Sequence, residues 1–178
     1  MVLLLASVVW DLIAVNPSAA ALIAAPVLVV AAAWLIFRIE ASRRTDRQRI
    51  AYARDIGALL SVTPREFEHT VGAVLRANGY DNVEVRDGSG DQAIDITCID
   101  RAGAPVVVQC KHYGLTRKVG TPEVKTFIGM ASAHHRASSA MYVTTADFTR
   151  GARDLAAEHG VALLNGTEFL DLARSATA

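Results

Sequence analysis

The sequence predicts an α/β domain, a mixed β-sheet flanked by helices, preceded by one or two transmembrane helices. Three observations predict it. Ala20 to Phe37 runs for 18 residues without a charge. Three strand-like segments between Asn82 and Lys111 are separated by short turn-rich loops, and beyond them strand and helix patterns alternate, the order expected of a sheet with helices on its faces. Finally, the third strand, "VVVQCKHY", carries Gln109 and Lys111 where its neighbours are valine and cysteine.

The membrane segment rests on length and charge. Met1 to Phe37 holds one charged side chain, Asp11. A helix needs about 20 apolar residues, or somewhat fewer, to cross the hydrocarbon core. Ala20 to Phe37 comes close to this, and Pro26 is tolerable there because a membrane kink can be re-satisfied locally. Trp34 lies near one end, where an interfacial indole is at home. Arg38, Arg43, Arg44, Arg47 and Arg49 follow, against only Glu40 and Asp46. The positive-inside rule then orients everything after Phe37 toward the cytoplasm. The earlier run, residues 2–15, is 14 residues long and is a candidate short first span or an interfacial segment. No Lys or Arg precedes it, which argues against a secretory signal. Residues 1–38 are therefore read as the anchor, and 39–62 as a charged helical linker able to touch anionic lipid.

The rest reads as one soluble domain over residues 63–174. The chain's formal net charge is zero, and from Thr63 onward 12 basic residues face 14 acidic ones. Binding to a polyanion would thus depend on local patches. Cys98 and Cys110 both fall in strands among Ile and Val, so they read as buried reduced thiols, suited to a cytosolic compartment. No paired spacing of Cys and His supports a zinc site.

In "TPREFEHTVGAVLRANGY", Thr63 is a natural N-cap, Pro64 suits the first helical position and Glu66 completes a capping box. Asn78-Gly79 ends the helix. Phe67, Val71, Val74 and Leu75 form its apolar face, with Glu68 at the edge of that face. Strands are expected at Asn82 to Arg86, Ile94 to Ile99 and Pro105 to Lys111, the last two forming an antiparallel hairpin. The apolar pattern puts Ile94, Ile96 and Cys98 on the core face with Val106, Val108 and Cys110. Asp95 then shares the opposite face with Gln109 and Lys111, because side chains alternate along a strand. Thr121-Pro122 starts a helix running to about His135, "SSAMYVTTA" is a strand, Thr149 to His159 a helix, "VALLN" a short strand and Glu168 to Arg174 a last helix.

Asp95, Gln109, Lys111 and Glu68 form a coherent chemical set. Carboxylates and the Gln carbonyl are hard oxygen donors suited to Mg²⁺. A lysine beside them can orient or help deprotonate a water, or offset phosphate charge. On spacing alone the set reads first as a solvated strand face carrying an Asp–Lys pair.

Five stretches tip the balance: "TPREFEHTVGAVLRANGY", "GSGDQAIDI", "VVVQCKHYG", "RKVGTPEVKTFIG" and "YVTTADFTRGARDLAAEHGVALLNG". Together they resemble the catalytic domain of Mrr-type restriction endonucleases, which have the PD-(D/E)xK nuclease fold, from about Thr63 to Leu172. The resemblance implies a restriction-endonuclease-like sheet and a metal-dependent DNA endonuclease akin to enzymes that target modified DNA. It assigns Asp95, Gln109 and Glu68 to the metal, Mg²⁺ or Mn²⁺, and completes the catalytic set with Lys111 in a QxK variant of the commoner ExK pair. DNA and the bilayer are the implied partners, a homodimer is a candidate assembly, and no small-molecule cofactor is expected. One departure stands out: Gln92-Ala93 occupies positions where the family usually has glycine. "KHYGLTRKVG" collects His112, Tyr113, Arg117 and Lys118, with Lys125 following, as the expected DNA-contact patch. Thr144, Thr145 and Thr149 read first as packing and capping residues, and His134-His135 as a helix end interacting with the helix dipole.

Overall fold

A computed structural model of the chain describes residues 17–86, 94–133 and 137–176. The expectations for residues 2–15, for Gln92-Ala93 and for His134-His135 lie outside the described residues. The chain divides into two compact units, Met1–Arg44 and Thr45–Ala178.

The first unit is dominated by helix α1 (Pro17–Tyr52), with Pro26 inside it. Every side chain from Ala25 to Arg44 is exposed. Alanine, valine and leucine surround the axis with no polar face, so no orientation of the helix would hide its apolar side chains from water. Among the described residues this is the one helix long and apolar enough to cross a membrane, over Ala25–Tyr52. Where the apolar run meets the arginines, the Arg38 guanidinium lies 5.2 Å from the Trp34 ring centroid.

The second unit begins earlier than a linker spanning 39–62 would allow. Ile50, Ala53 and Leu59 are buried in the same cluster as Phe67 and Val74, with Ile56 packed against it. These positions recur every three residues, which keeps them on one side of a helical path despite the charges between them. Arg54 donates to the carbonyls of Ala173 at 3.3 Å and Ala176 at 3.1 Å. A short helix α2 (Ile56–Ser61) follows, capped by Asp55.

Helix α3 (Pro64–Ala77) has the expected ends. Thr63 Oγ1 accepts the Glu66 N–H, the Glu66 carboxylate accepts the Thr63 N–H, and Asn78 is the C-cap. Gly79 follows at φ +80°, a conformation glycine adopts without strain. Phe67, Val71, Val74 and Leu75 are all at most 1% exposed.

The strands are β1 (Asp81–Val85), β2 (Ile96–Ile99), β3 (Pro105–Lys111), β4 (Lys118–Val119), β5 (Ser139–Thr144), β6 (Asp147–Phe148) and β7 (Val161–Leu164). Between and after them come α4 (Thr121–Ala133), α5 (Arg150–Glu158) and α6 (Gly166–Ser175). One five-stranded sheet runs in the order β1-β2-β3-β5-β7, antiparallel through β3 and parallel beyond it. This is the mixed α/β architecture that the sequence predicts. The two-residue strands β4 and β6 pair in parallel beside it, a bridge too short to show in any periodicity.

Two apolar clusters sandwich the sheet. One joins α3 and α6 to Ile96, Cys98, Val106, Val108 and Cys110. The other joins α4 and α5 to Val107 and Tyr142. The crossovers β3–α4–β5 and β5–α5–β7 place both helices on one face, as successive parallel connections in one direction do. Phe67 is wholly buried against Phe169, and truncating such a side chain costs roughly 3–5 kcal/mol.

The expected alternation fails at one residue. Ile94 packs in the cluster with Val107 and Tyr142, not with Ile96 and Cys98. Regular pairing ends at Ile96↔Val108, and Ile94 and Asp95 lie just beyond the strand. A local irregularity at a strand end re-aims side chains that strict period-two reasoning would place.

Candidate active site

The irregularity at Asp95 builds the site. The Asp95 N–H donates to the Val108 carbonyl at 2.9 Å, and its carbonyl accepts the Arg86 N–H at 2.8 Å, so the backbone is held from both neighbouring strands. Its carboxylate does what a strand backbone would do next: Oδ2 accepts the Cys110 N–H at 2.6 Å. The same oxygen accepts a hydrogen bond from the Gln109 side-chain N–H. Asp95 and Gln109 therefore meet as expected, although by a break in the pleat and not by its continuation.

Gln109 is 2% exposed. Its Nε2 also donates to the Cys110 carbonyl at 3.3 Å, while its Oε1 is buried with no hydrogen-bond partner among the described residues. An orphaned buried acceptor of this kind costs about 1–3 kcal/mol. Folding tolerates it only if other interactions compensate or a ligand supplies the missing partner.

Asp95 is pushed above the ordinary carboxylate range, chiefly by burial; the Cys110 N–H opposes the shift, Glu68 adds to it, and Lys111 and Arg65 oppose it. Glu68, Lys111 and Arg65 are thus near enough to act on the Asp95 charge. The buried Cys110 thiol is raised as well, by desolvation and then by Asp95 and Glu68, which leaves it an inert packing group. Glu68 projects from α3 and accepts from Arg65 Nη1 at 2.8 Å; Arg65 also donates to the Arg86 carbonyl. Sequence reasoning missed Arg65, because an arginine one turn before a glutamate ordinarily makes a surface pair of little consequence.

Lys111 closes β3 and is half-buried. Two threonines hold this strand end. Thr144 Oγ1 donates to the Lys111 carbonyl at 2.7 Å, and Thr145 Oγ1 accepts the Tyr113 N–H and donates to the Tyr113 carbonyl, both at 2.7 Å. Thr149 caps α5.

Of the five expected DNA contacts, four have a partner within the protein. The His112 ring lies 3.0 Å from the Leu59 carbonyl and tilts against Phe67. The Tyr113 hydroxyl donates to Glu123 at 3.1 Å, with the Arg117 guanidinium stacked 3.8 Å over its ring. Arg117 in turn pairs with Glu123 at 3.6 Å. Lys118, 3.9 Å from the Asp147 carboxylate, and Lys125 are both exposed.

Among the described residues no three His, Cys, Asp or Glu side chains gather as a metal cluster. A divalent cation here would instead be held by two carboxylates, Asp95 and Glu68, and the Gln109 amide oxygen, with water or substrate completing its shell. The orphaned Oε1 and a carboxylate disfavoured by its surroundings both fit that donor set.

A sequence model described as "Restriction endonuclease" (Mrr_cat) matches residues 59–173. The chain belongs to the restriction endonuclease family. It is 37% identical over 121 residues to the type IV methyl-directed restriction enzyme EcoKMrr of Escherichia coli K12, covering 64% of this chain and 39% of that protein. The chain thus spans well under half of its relative's length. Among solved structures, the DNA modification-dependent restriction endonuclease AspBHI superposes with a TM-score of 0.56 at 23% identity, over 74% of this chain and 35% of that one. That likeness supports the restriction-endonuclease fold. The family match starts at Leu59, inside α2.

Proposed function

We propose that the protein is a membrane-anchored, Mg²⁺- or Mn²⁺-dependent DNA endonuclease acting on modified DNA. The observation that carries the reading is the buried, unpartnered Gln109 Oε1 beside a carboxylate whose charge its surroundings disfavour. Such a pair is unfavourable in the metal-free protein and becomes favourable around a cation. Family membership supports nuclease chemistry, and the charge-free stretch of α1, exposed from Ala25 onward, supports the anchor.

In the reaction, water attacks phosphorus, a new P–O bond forms and the bond to the leaving sugar oxygen breaks. A bound cation would supply Lewis-acid polarisation and charge neutralisation. Asp95, Glu68 and Gln109 would hold it. Lys111 orients the attacking water or offsets charge on the phosphate, and the Thr144 and Thr145 clamps keep its strand end from shifting. Lys118 and Lys125 contact backbone phosphates.

The test uses the full chain in detergent with modified and unmodified plasmid, with Mg²⁺ or with EDTA. Metal-dependent nicking that disappears in Asp95→Ala and Lys111→Ala is expected. No cleavage of any substrate would leave a DNA- or protein-binding module instead, and cleavage surviving both substitutions would overturn the site. A reporter fused after Ala178 that works only outside the cytoplasm would refute the topology.

A further inference from the structure

From Thr45 onward, the exposed large apolar side chains among the described residues are Tyr52 and Leu115. Leu115 is 58% exposed, in the turn four residues beyond Lys111 and just before Arg117 and Lys118. An isolated exposed leucine is ordinary, but this one forms a wall of a cleft of about 330 Å³. Ile56 and Leu170 supply its other apolar walls, and Asp147, Asn165 and Thr167 its polar ones. Thr145 also lines the cleft, and its N–H donates to the Lys111 carbonyl at 3.3 Å, so the cleft is tied to the strand that carries the candidate site.

The chemistry of the walls selects the ligand. Asp147 Oδ1 accepts from Phe148 N–H and Arg153 at 2.8 Å and from Asn165 at 3.3 Å. Among the described residues Oδ2 is paired with Lys118 alone, at 3.9 Å, and so keeps capacity to accept. A carboxylate wall repels phosphate but accepts an N–H, as acidic side chains do from the amino group of cytosine. Apolar walls suit the flat faces of a base, and leucines act as wedges between base steps in other nucleic-acid complexes. Lys118, at the rim, would meet the connected phosphate. The volume is at the low end for ligand pockets, roughly 300–1,000 Å³, which suits one base.

We infer that this cleft is a nucleobase-binding site: Leu115 wedges against the strand, and one unstacked, amino-bearing base enters with Asp147 Oδ2 as its acceptor. The inference rests on the DNA-substrate reading and adds to it a place where the substrate is locally unstacked.

The probe is an oligonucleotide containing 2-aminopurine, mixed with the full chain in detergent and EDTA. Anisotropy of an end label reports binding, and 2-aminopurine emission reports unstacking. Wild type is expected to raise the emission several-fold at saturation. Leu115→Ser and Thr167→Phe, the second filling the cleft from an exposed position, should abolish the rise while anisotropy still saturates. Binding and plasmid cleavage without any emission change in the wild type would overturn the cleft and leave the nuclease reading intact. Absence of both DNA binding and cleavage would remove both. An unchanged emission rise in Leu115→Ser would overturn it, and a smaller assembly mass in that variant would point to a second copy as the occupant.

Discussion

Two aspartates of the same compact unit are held in opposite ways. Asp95 is raised, mainly by burial, beside an amide whose oxygen has no described partner. Asp147 is held below the ordinary carboxylate range by the Phe148 N–H and then by Arg153, with Asn165 assisting. Arg153 also reaches Glu168 at 3.3 Å, and Glu168 completes the capping box of α6 with Asn165. The Asp147 charge is favoured by its surroundings as folded. At Asp95 the folded protein works against the charge, which is the arrangement a cation would relieve. The contrast separates a carboxylate whose charge stabilises the fold from one whose charge the fold opposes.

The largest predicted effect breaks the Asp95 centre. Asp95→Asn or Glu68→Gln should lower metal-dependent cleavage by ~10²–10³-fold or more, the scale on which removed transition-state stabilisers act. Urea unfolding in EDTA should show Asp95→Asn no less stable than wild type, because the lost charge was disfavoured. A large stability loss in that variant would mean Asp95 is a structural carboxylate like Asp147.

Gln109→Leu sharpens the same point. The substitution removes the orphaned acceptor together with the Nε2 hydrogen bonds to Asp95 and the Cys110 carbonyl. These opposing effects should leave the stability of the metal-free chain within about 1 kcal/mol of wild type, while the rise in Tm that Mg²⁺ gives the wild type is abolished. Calorimetry with and without Mg²⁺ reads both, and an undiminished Mg²⁺ effect would exclude Gln109 from the metal shell.

At the other centre, Glu168→Ala removes a capping contact and one arm of the Arg153 pair. The expected loss is about 1 kcal/mol of stability, with cleavage per folded molecule unchanged. Equal damage to cleavage would show that the two centres are coupled.

The smallest effect is one of pH. The folded-state pKa of Asp147 lies below its unfolded value, so its stabilisation is present above the ordinary Asp range. It is lost as pH falls through the lowered value, below pH ~4. The urea midpoints of wild type and Asp147→Asn should therefore converge on acidification, and a gap that widened below pH 4 would reverse the assignment.

Much of this was legible in order along the chain. The Thr63–Glu66 capping box, the Gly79 stop and the Pro105 to Lys111 strand are local patterns, set by residues within a few positions of one another, and they appear where expected. The pairing of β2 with β3 was legible too, because two apolar faces must coincide in a hairpin. The basic patch was less so. Tyr113 and Arg117 are taken up by Glu123, and His112 by Leu59 and Phe67, partners that charge and aromaticity alone do not reveal. The segment after Arg44 read as linker because its charges hide Ile50, Ala53, Ile56 and Leu59, whose common destination is a core assembled from residues far along the chain.

By itself the sequence determined the apolar helix, the order of strands and helices, and the presence of Glu68, Asp95, Gln109 and Lys111 at their spacing. These follow from periodicity and capping, which act over one or two turns of chain. Only the tertiary structure decided that Ile94 turns to the opposite face, that the Asp95 carboxylate replaces a backbone partner for Cys110, and that Gln109 Oε1 is left without a described donor. Each depends on which groups burial brings together across strands and which it excludes from water, and no local pattern encodes that.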